Sequence, residues 1–197
     1  MKNEIYIGIT GNRDISEKQI IFIKKRIEEF LNNFKKDNEF SNIIVLTPLA
    51  DGVDRIITNS IIENFSNIKI LVPLPFSESI YKNTFGKGLK INNISQEESI
   101  KEYENLLEKI KKHNKCDDIY INLKFDKENY LNQNMDEQRK IRNEQYTLLG
   151  EYLIEKSDIL IAVYDKNREI KKGGTIEIVN KFNLIIHQDK KLFEINI

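Results

Sequence analysis

Four short, almost uninterrupted apolar runs constrain this chain more than any other feature: residues 4–10 (EIYIGIT), 43–46 (IIVL), 68–74 (IKILVPL) and 159–164 (ILIAVY). A strand with one face in water alternates polar and apolar side chains, whereas a strand covered on both faces reads as a continuous apolar run. Helical spacing fills the gaps between the first three. Ile20, Ile23, Ile27, Phe30, Leu31 and Phe34 recur on one face up to about Lys36, behind a Ser16/Gln19 capping box. Residues 53–65 gather Ile56, Ile57, Ser60 and Ile61 in the same way. This alternation predicts an α/β fold of Rossmann-like type, three layers (α/β/α) around a mostly parallel central sheet.

A second unit ends the chain. Residues 137–156 read as a helix, 159–164 as a strand, and Gly173-Gly174-Thr175 opens a helix to about Phe182. Two short strands, 184–186 and 192–197, are expected to follow. Residues 76–135 form a less regular insertion between the third and fourth core strands. Within it, residues 95–112 are expected to be helical, with Ile100, Tyr103, Leu106, Leu107 and Ile110 on one face. Residues 118–125 fit an edge strand or a loop, and the Asn-rich stretch 129–134 reads as a loop. The whole, residues 1–197, is expected to be one domain, with 76–135 as a lid or subunit contact and a homo-oligomer as the assembly.

Composition closes off several functions. Lys and Arg number 31 against 31 Asp and Glu, so no general attraction to a nucleic acid polymer is expected. No apolar stretch approaches the roughly 20 residues that span a bilayer, and the first residues lack a signal-peptide pattern. Neither a membrane partner nor an exported location is therefore expected. A lone Cys116 fits a reducing compartment, the cytoplasm, and excludes an intramolecular disulfide. His113, Cys116 and Asp117 have poor zinc spacing, and His113 and His187 stand outside every motif. No metal, no cofactor and no Ser-His-Asp catalysis are expected. Lys24-Lys25-Arg26 and Lys190-Lys191 read as solvated faces.

Glycine occurs only 8 times and proline 3 times, and most of both fall at the predicted carboxyl ends of the strands. In an open parallel sheet ligands bind in the crevice outside that edge. Three constellations lie there. The first loop carries Gly11, Asn12 and Arg13, with a backbone able to approach an anion and a guanidinium able to fork onto it. The second, Ala50-Asp51-Gly52-Val53-Asp54-Arg55, opens a helix; its carboxylates suit ribose hydroxyls better than phosphate, and helix capping by Asp51 with an Asp54–Arg55 surface pair is the alternative. The third joins Tyr164 and Asp165, closing the most apolar strand, to Gly173, Gly174, Thr175 and Glu177. Paired glycines before a helix expose several N–H donors to one oxyanion, and Glu177 could accept a sugar hydroxyl or act as a base.

Five pieces in order resemble the SLOG superfamily of Rossmann-like nucleotide-binding domains, related to lysine-decarboxylase-like nucleotide hydrolases and to the DNA-processing protein fold. They are residues 8–14 (GITGNRD), 47–55 (TPLADGVDR), 71–76 (LVPLPF) with Tyr81, 159–165 (ILIAVYD) and 173–177 (GGTIE). The resemblance implies a nucleotide-derived small molecule across the strand ends. Phosphates would lie near Gly11, Arg13 and residues 173–175, with ribose near Asp51 or Glu177. Some members cleave base from ribose phosphate; others sense NAD-derived or cyclic-nucleotide signals in bacterial antiviral defence. The hydrolase motif P-G-G-x-G-T-x-x-E is shortened here to Lys-Gly-Gly-Thr-Ile-Glu, which favours binding over cleavage. Were the chain an enzyme, the resemblance would make Glu177 and Arg142 catalytic, with Arg139 a turn away from Arg142.

Overall fold

The computed structural model describes residues 4–37, 42–91, 94–185 and 190–197. The chain runs β1 (Glu4–Gly11), α1 (Glu17–Asp37), β2 (Asn42–Leu46), α2 (Val53–Asn64), β3 (Ile68–Leu74) and α3 (Glu78–Lys82). It continues through α4 (Gln96–Asn114), β4 (Tyr120–Asn122), α5 (Lys127–Leu131), α6 (Met135–Lys156), β5 (Ile159–Tyr164), α7 (Thr175–Ile185) and β6 (Lys191–Asn196). The sheet is six-stranded with order β4-β3-β2-β1-β5-β6, and every pairing is parallel. It is the centre of a Rossmann-like three-layer α/β/α fold, parallel throughout rather than mostly so.

Strand periodicity assigns the layers. Ile7 and Ile9 of β1 and Ile159, Ile161 and Val163 of β5 pack with Ile23, Ile27 and Leu31 of α1 and with Val53, Ile57 and Ile61 of α2. The alternate residues Leu160, Ala162 and Tyr164 face α6 and α7, meeting Ile154, Ile178, Val179 and Phe182. Helices α1, α2 and α4 therefore cover one face, and α6 and α7 the other. The insertion is built into this frame: β4 extends the sheet beside β3, and Tyr103, Leu106, Leu107 and Ile110 of α4 are buried in the main core.

Three expectations need correction. Residues 129–131 are helical, not loop, because Asp126 accepts the Asn129 N–H at 2.9 Å and Tyr130 anchors the turn against Phe76 and Phe125. Residues 184 and 185 extend α7 instead of starting a strand; Leu184 stays exposed while Ile178, Val179 and Phe182 hold the helix down. Ile186 and His187 lie outside the described residues. Lys190 is no solvated charge: its ammonium donates to the carbonyls of Ile154, Glu155 and Ser157, each at 2.8 Å, and so closes the C-terminus of α6.

Helix α6 begins two residues earlier than its apolar pattern indicates, since Asn134 accepts from the N–H groups of Asp136 and Glu137 at 3.1 and 3.0 Å. An Asn134→Ala variant is expected to lose about 1 kcal/mol. In a chain of this size that corresponds to a melting point roughly 2–4 °C lower, measurable by thermal denaturation.

Candidate functional site

Strand β1 stands between β2 and β5, and the helices that follow β1 and β5 leave to opposite faces of the sheet. A crevice must open at the carboxyl ends of this pair. A cleft of about 580 Å³ lies there. Its walls include Thr10 to Asp14 at and beyond the end of β1, Pro48, Ala50 and Asp54 from the β2–α2 junction, Tyr81 of α3, Tyr146 of α6, and Gly173 to Ile176 before and within α7. Lys87, Arg168 and Lys171 stand exposed at its rim, with Glu169 beside them.

The first loop is pinned at both ends. The Asn12 N–H donates to the Val163 carbonyl at 2.9 Å, and its carbonyl accepts from Val53 N–H at 3.1 Å. The backbone of Asn12 is thus spent on the fold. Its side-chain Nδ2 is buried in the cleft wall without a hydrogen-bond partner among the described residues. On the far side, the Thr10 hydroxyl donates to that of Thr175 at 3.2 Å, tying the end of β1 to the start of α7. Gly173 adopts φ +71°, and a Cβ there would meet Cβ of Tyr146 at 2.5 Å. The turn 171–174 therefore sits directly on α6, and residues 173–176 line the cleft. The Gly173 N–H donates to Glu177 and the Gly174 N–H to the Lys171 carbonyl at 2.9 Å, so the paired glycines do not themselves offer free donors.

Beneath the cleft lies a charged hub. Asp51, 4% exposed, accepts from Arg13, from Ser99 Oγ and from the Gly86 N–H, and forms an ion pair with Arg55 at 3.1 Å. Arg55 also donates to the carbonyls of Leu49 and Ser99 and lies over the Phe85 ring. Burial alone would push the Asp51 carboxyl up, but Arg55, Arg13 and Ser99 together hold it below its ordinary range. Arg13 is half-exposed; it donates to the Thr84 carbonyl at 2.8 Å as well as to Asp51. The hub locks residues 84–86 over the first loop, and Asp14 extends the lock by accepting the N–H groups of Lys90 and Ile91.

Asp54 is as buried as Asp51, at 4% exposed, but its setting differs. It lines the cleft, and among the described residues it accepts one hydrogen bond, from the Ala50 N–H at 3.1 Å. Burial pushes its carboxyl up to about 7, an effect that Ala50, Arg55 and Arg13 only partly oppose.

Of the residues singled out in the sequence, Gly11, Asn12, Arg13, Ala50, Asp54, Gly173, Gly174 and Thr175 line the one cleft. Asp51, Gly52 and Arg55 lie behind its wall. Tyr164 turns away to donate to Glu194 of β6, and Asp165 accepts the Asn167 N–H within its own turn. Glu177 accepts the Gly173 N–H and pairs with Lys181 at 3.1 Å. Burial works against its ionisation, yet these two partners hold its carboxyl below the ordinary range. Arg142 donates to the Tyr130 hydroxyl at 2.9 Å, and Arg139 is exposed on α6. Tyr81 enters the sequence reading only as part of a matching motif and Tyr146 not at all; neither is expected there to line the cleft, whereas Arg168 and Lys171 could have been found from their place beside Gly173. Comparison with models of known protein families and with curated proteins returns no match.

Proposed function

We propose that the cleft binds a nucleotide or nucleotide-derived small molecule, and that the protein serves as a sensor, carrier or sequestering module for it. The observation that supports this most is convergence: the first turn of α7 and the rim cations Lys87, Arg168 and Lys171 meet at the switch point of the sheet. A helix N-terminus and several cations around one crevice favour a phosphate group. The cleft volume lies within the usual range for small-molecule sites. The motif order shared with SLOG domains points to the same ligand class. Binding without cleavage fits the two residues on which hydrolysis would depend. Glu177 is engaged with Gly173 and Lys181, and Arg142 with Tyr130, both outside the lining.

Thermal shift with AMP, ADP-ribose and NAD tests the reading. A ligand present at 100 times its Kd is expected to stabilise the protein by about 2.7 kcal/mol. Adenosine, which lacks phosphate, is expected to bind far more weakly than AMP, and Lys171→Ala is expected to narrow that gap. Absence of any shift across the panel would overturn the proposal.

A further inference from the structure

We propose that Asp54, Asn12 and Tyr81 form a subsite in the cleft for a vicinal diol, the 2′- and 3′-hydroxyls of a ribose, with the ionised Asp54 as the acceptor. The inference rests on the nucleotide reading above and names the group that this part of the cleft takes. Three residues from three separate elements supply it: the β1–α1 loop, α2 and α3. Tyr81 lines the cleft with a side chain 1% exposed, and its hydroxyl is buried with no hydrogen-bond partner among the described residues. The amide Nδ2 of Asn12 is in the same condition. Burying such groups unpaired costs stability, and a ligand that pairs them recovers that cost on binding.

The chemistry of the three groups selects the ligand group. The Asn12 amide nitrogen can only donate. The Tyr81 hydroxyl stays protonated, because burial drives its ionisation far upward, so it can donate as well as accept. An ionised Asp54 can only accept, and it repels phosphate and carboxylate. A group that satisfies all three must therefore be uncharged and must both donate and accept on neighbouring atoms, as adjacent hydroxyls do. The two other acids considered for ribose are already committed, Asp51 to Arg13, Arg55 and Ser99, and Glu177 to Gly173 and Lys181.

Binding of the diol should be linked to the proton on Asp54. The groups that act on this carboxyl are the Ala50 N–H and Arg55 around its own helix start, Arg13 in the cleft lining, Asp51 behind the wall, and Tyr81 from α3. Burial outweighs the favourable partners, which leaves the carboxyl half-ionised near neutrality. A hydroxyl donor stabilises the ionised form, so discrimination in favour of a diol should rise with pH across this region.

The experiment compares AMP with 2′,3′-dideoxy-AMP by calorimetry at pH 6 and pH 8, in the wild type and in Asp54→Asn. The ratio of the two affinities is the readout, because the phosphate titrates alike in both ligands. The wild type is expected to prefer AMP by about 10- to 100-fold at pH 8 and by less at pH 6. Asp54→Asn, which retains an acceptor for Ala50, is expected to lose most of the preference and all of its pH dependence. AMP and dideoxy-AMP binding equally well to the wild type would overturn the diol subsite and leave the nucleotide reading standing. A preference unchanged in Asp54→Asn would overturn the role of Asp54. No binding of AMP would overturn the diol subsite, and the absence of a shift with ADP-ribose and NAD as well would overturn the nucleotide reading with it.

Discussion

An Asp51→Ala variant is expected to unfold at a temperature roughly 6–20 °C below the wild type, the consequence of losing about 3–5 kcal/mol. The figure follows from what the substitution leaves behind. Arg55 is 5% exposed, and Asp51 is the one carboxylate of the hub that is itself buried, since Glu102 is more than half exposed. Removing Asp51 strands a buried guanidinium and also frees Ser99 Oγ, the Gly86 N–H and the inner end of Arg13. The double variant Asp51→Ala/Arg55→Met is expected to recover part of the loss, because replacing a buried pair by apolar groups removes the uncompensated charge. The pH profile separates this acid from its neighbour. The Asp51 carboxyl is depressed in the fold, so its contribution is present above its ordinary value near 3.8 and lost as pH falls below it. The Asp54 carboxyl is raised to about 7, so its ionisation lowers stability as pH climbs from about 4 through 7. Chemical denaturation against pH should therefore show a shallower acid limb in Asp51→Ala and a flatter neutral limb in Asp54→Asn.

These two aspartates also mark where the sequence stops being readable. The strands were legible because burial on both faces leaves a continuous apolar run that few other structures produce. The carboxyl edge was legible because glycine and proline are scarce elsewhere. Whether an acid at the start of α2 faces the cleft or the protein depends on rotation about the helix axis and on partners distant in the chain. Ser99 and Gly86 belong to the insertion, and no local pattern ties them to Asp51. The place of Tyr81 in the cleft is hidden for the same reason, although the residue itself belongs to a recognisable motif: it reaches the cleft from a five-residue helix held by aromatic contacts with Phe76, Phe85 and Tyr103. The miscast helix ends have a different origin. Residues 184–186 are a short apolar run whose period is ambiguous between strand and helix. The Asn-rich segment around Tyr130 has poor helix propensity, which one buried aromatic overrides.

Gly52→Ala is expected to damage both stability and ligand affinity, for a reason that can be isolated. Gly52 adopts φ +80° and ψ −122°, a conformation disfavoured for residues with a Cβ, and imposing it on alanine costs about 1–3 kcal/mol. Space adds to that cost. A Cβ at this position would lie 2.3 Å from the Arg13 carbonyl oxygen and 2.5 Å from that of Asn12, both backbone atoms that cannot swing aside. To relieve the overlap, α2 must retreat from the first loop, which breaks the bond from Val53 N–H to the Asn12 carbonyl. That retreat separates Asn12 from Asp54, so the folded variant should bind AMP more weakly and discriminate less against its dideoxy analogue. Gly88→Ala is the matched control. Gly88 has φ +76°, close to that of Gly52, but nothing lies within 4 Å of where its Cβ would be. Only the conformational cost applies there, so its melting point should fall less. Equal losses in the two variants would mean that the loops around Gly52 can shift freely, and that the close approach of α2 to the first loop does not hold the site together.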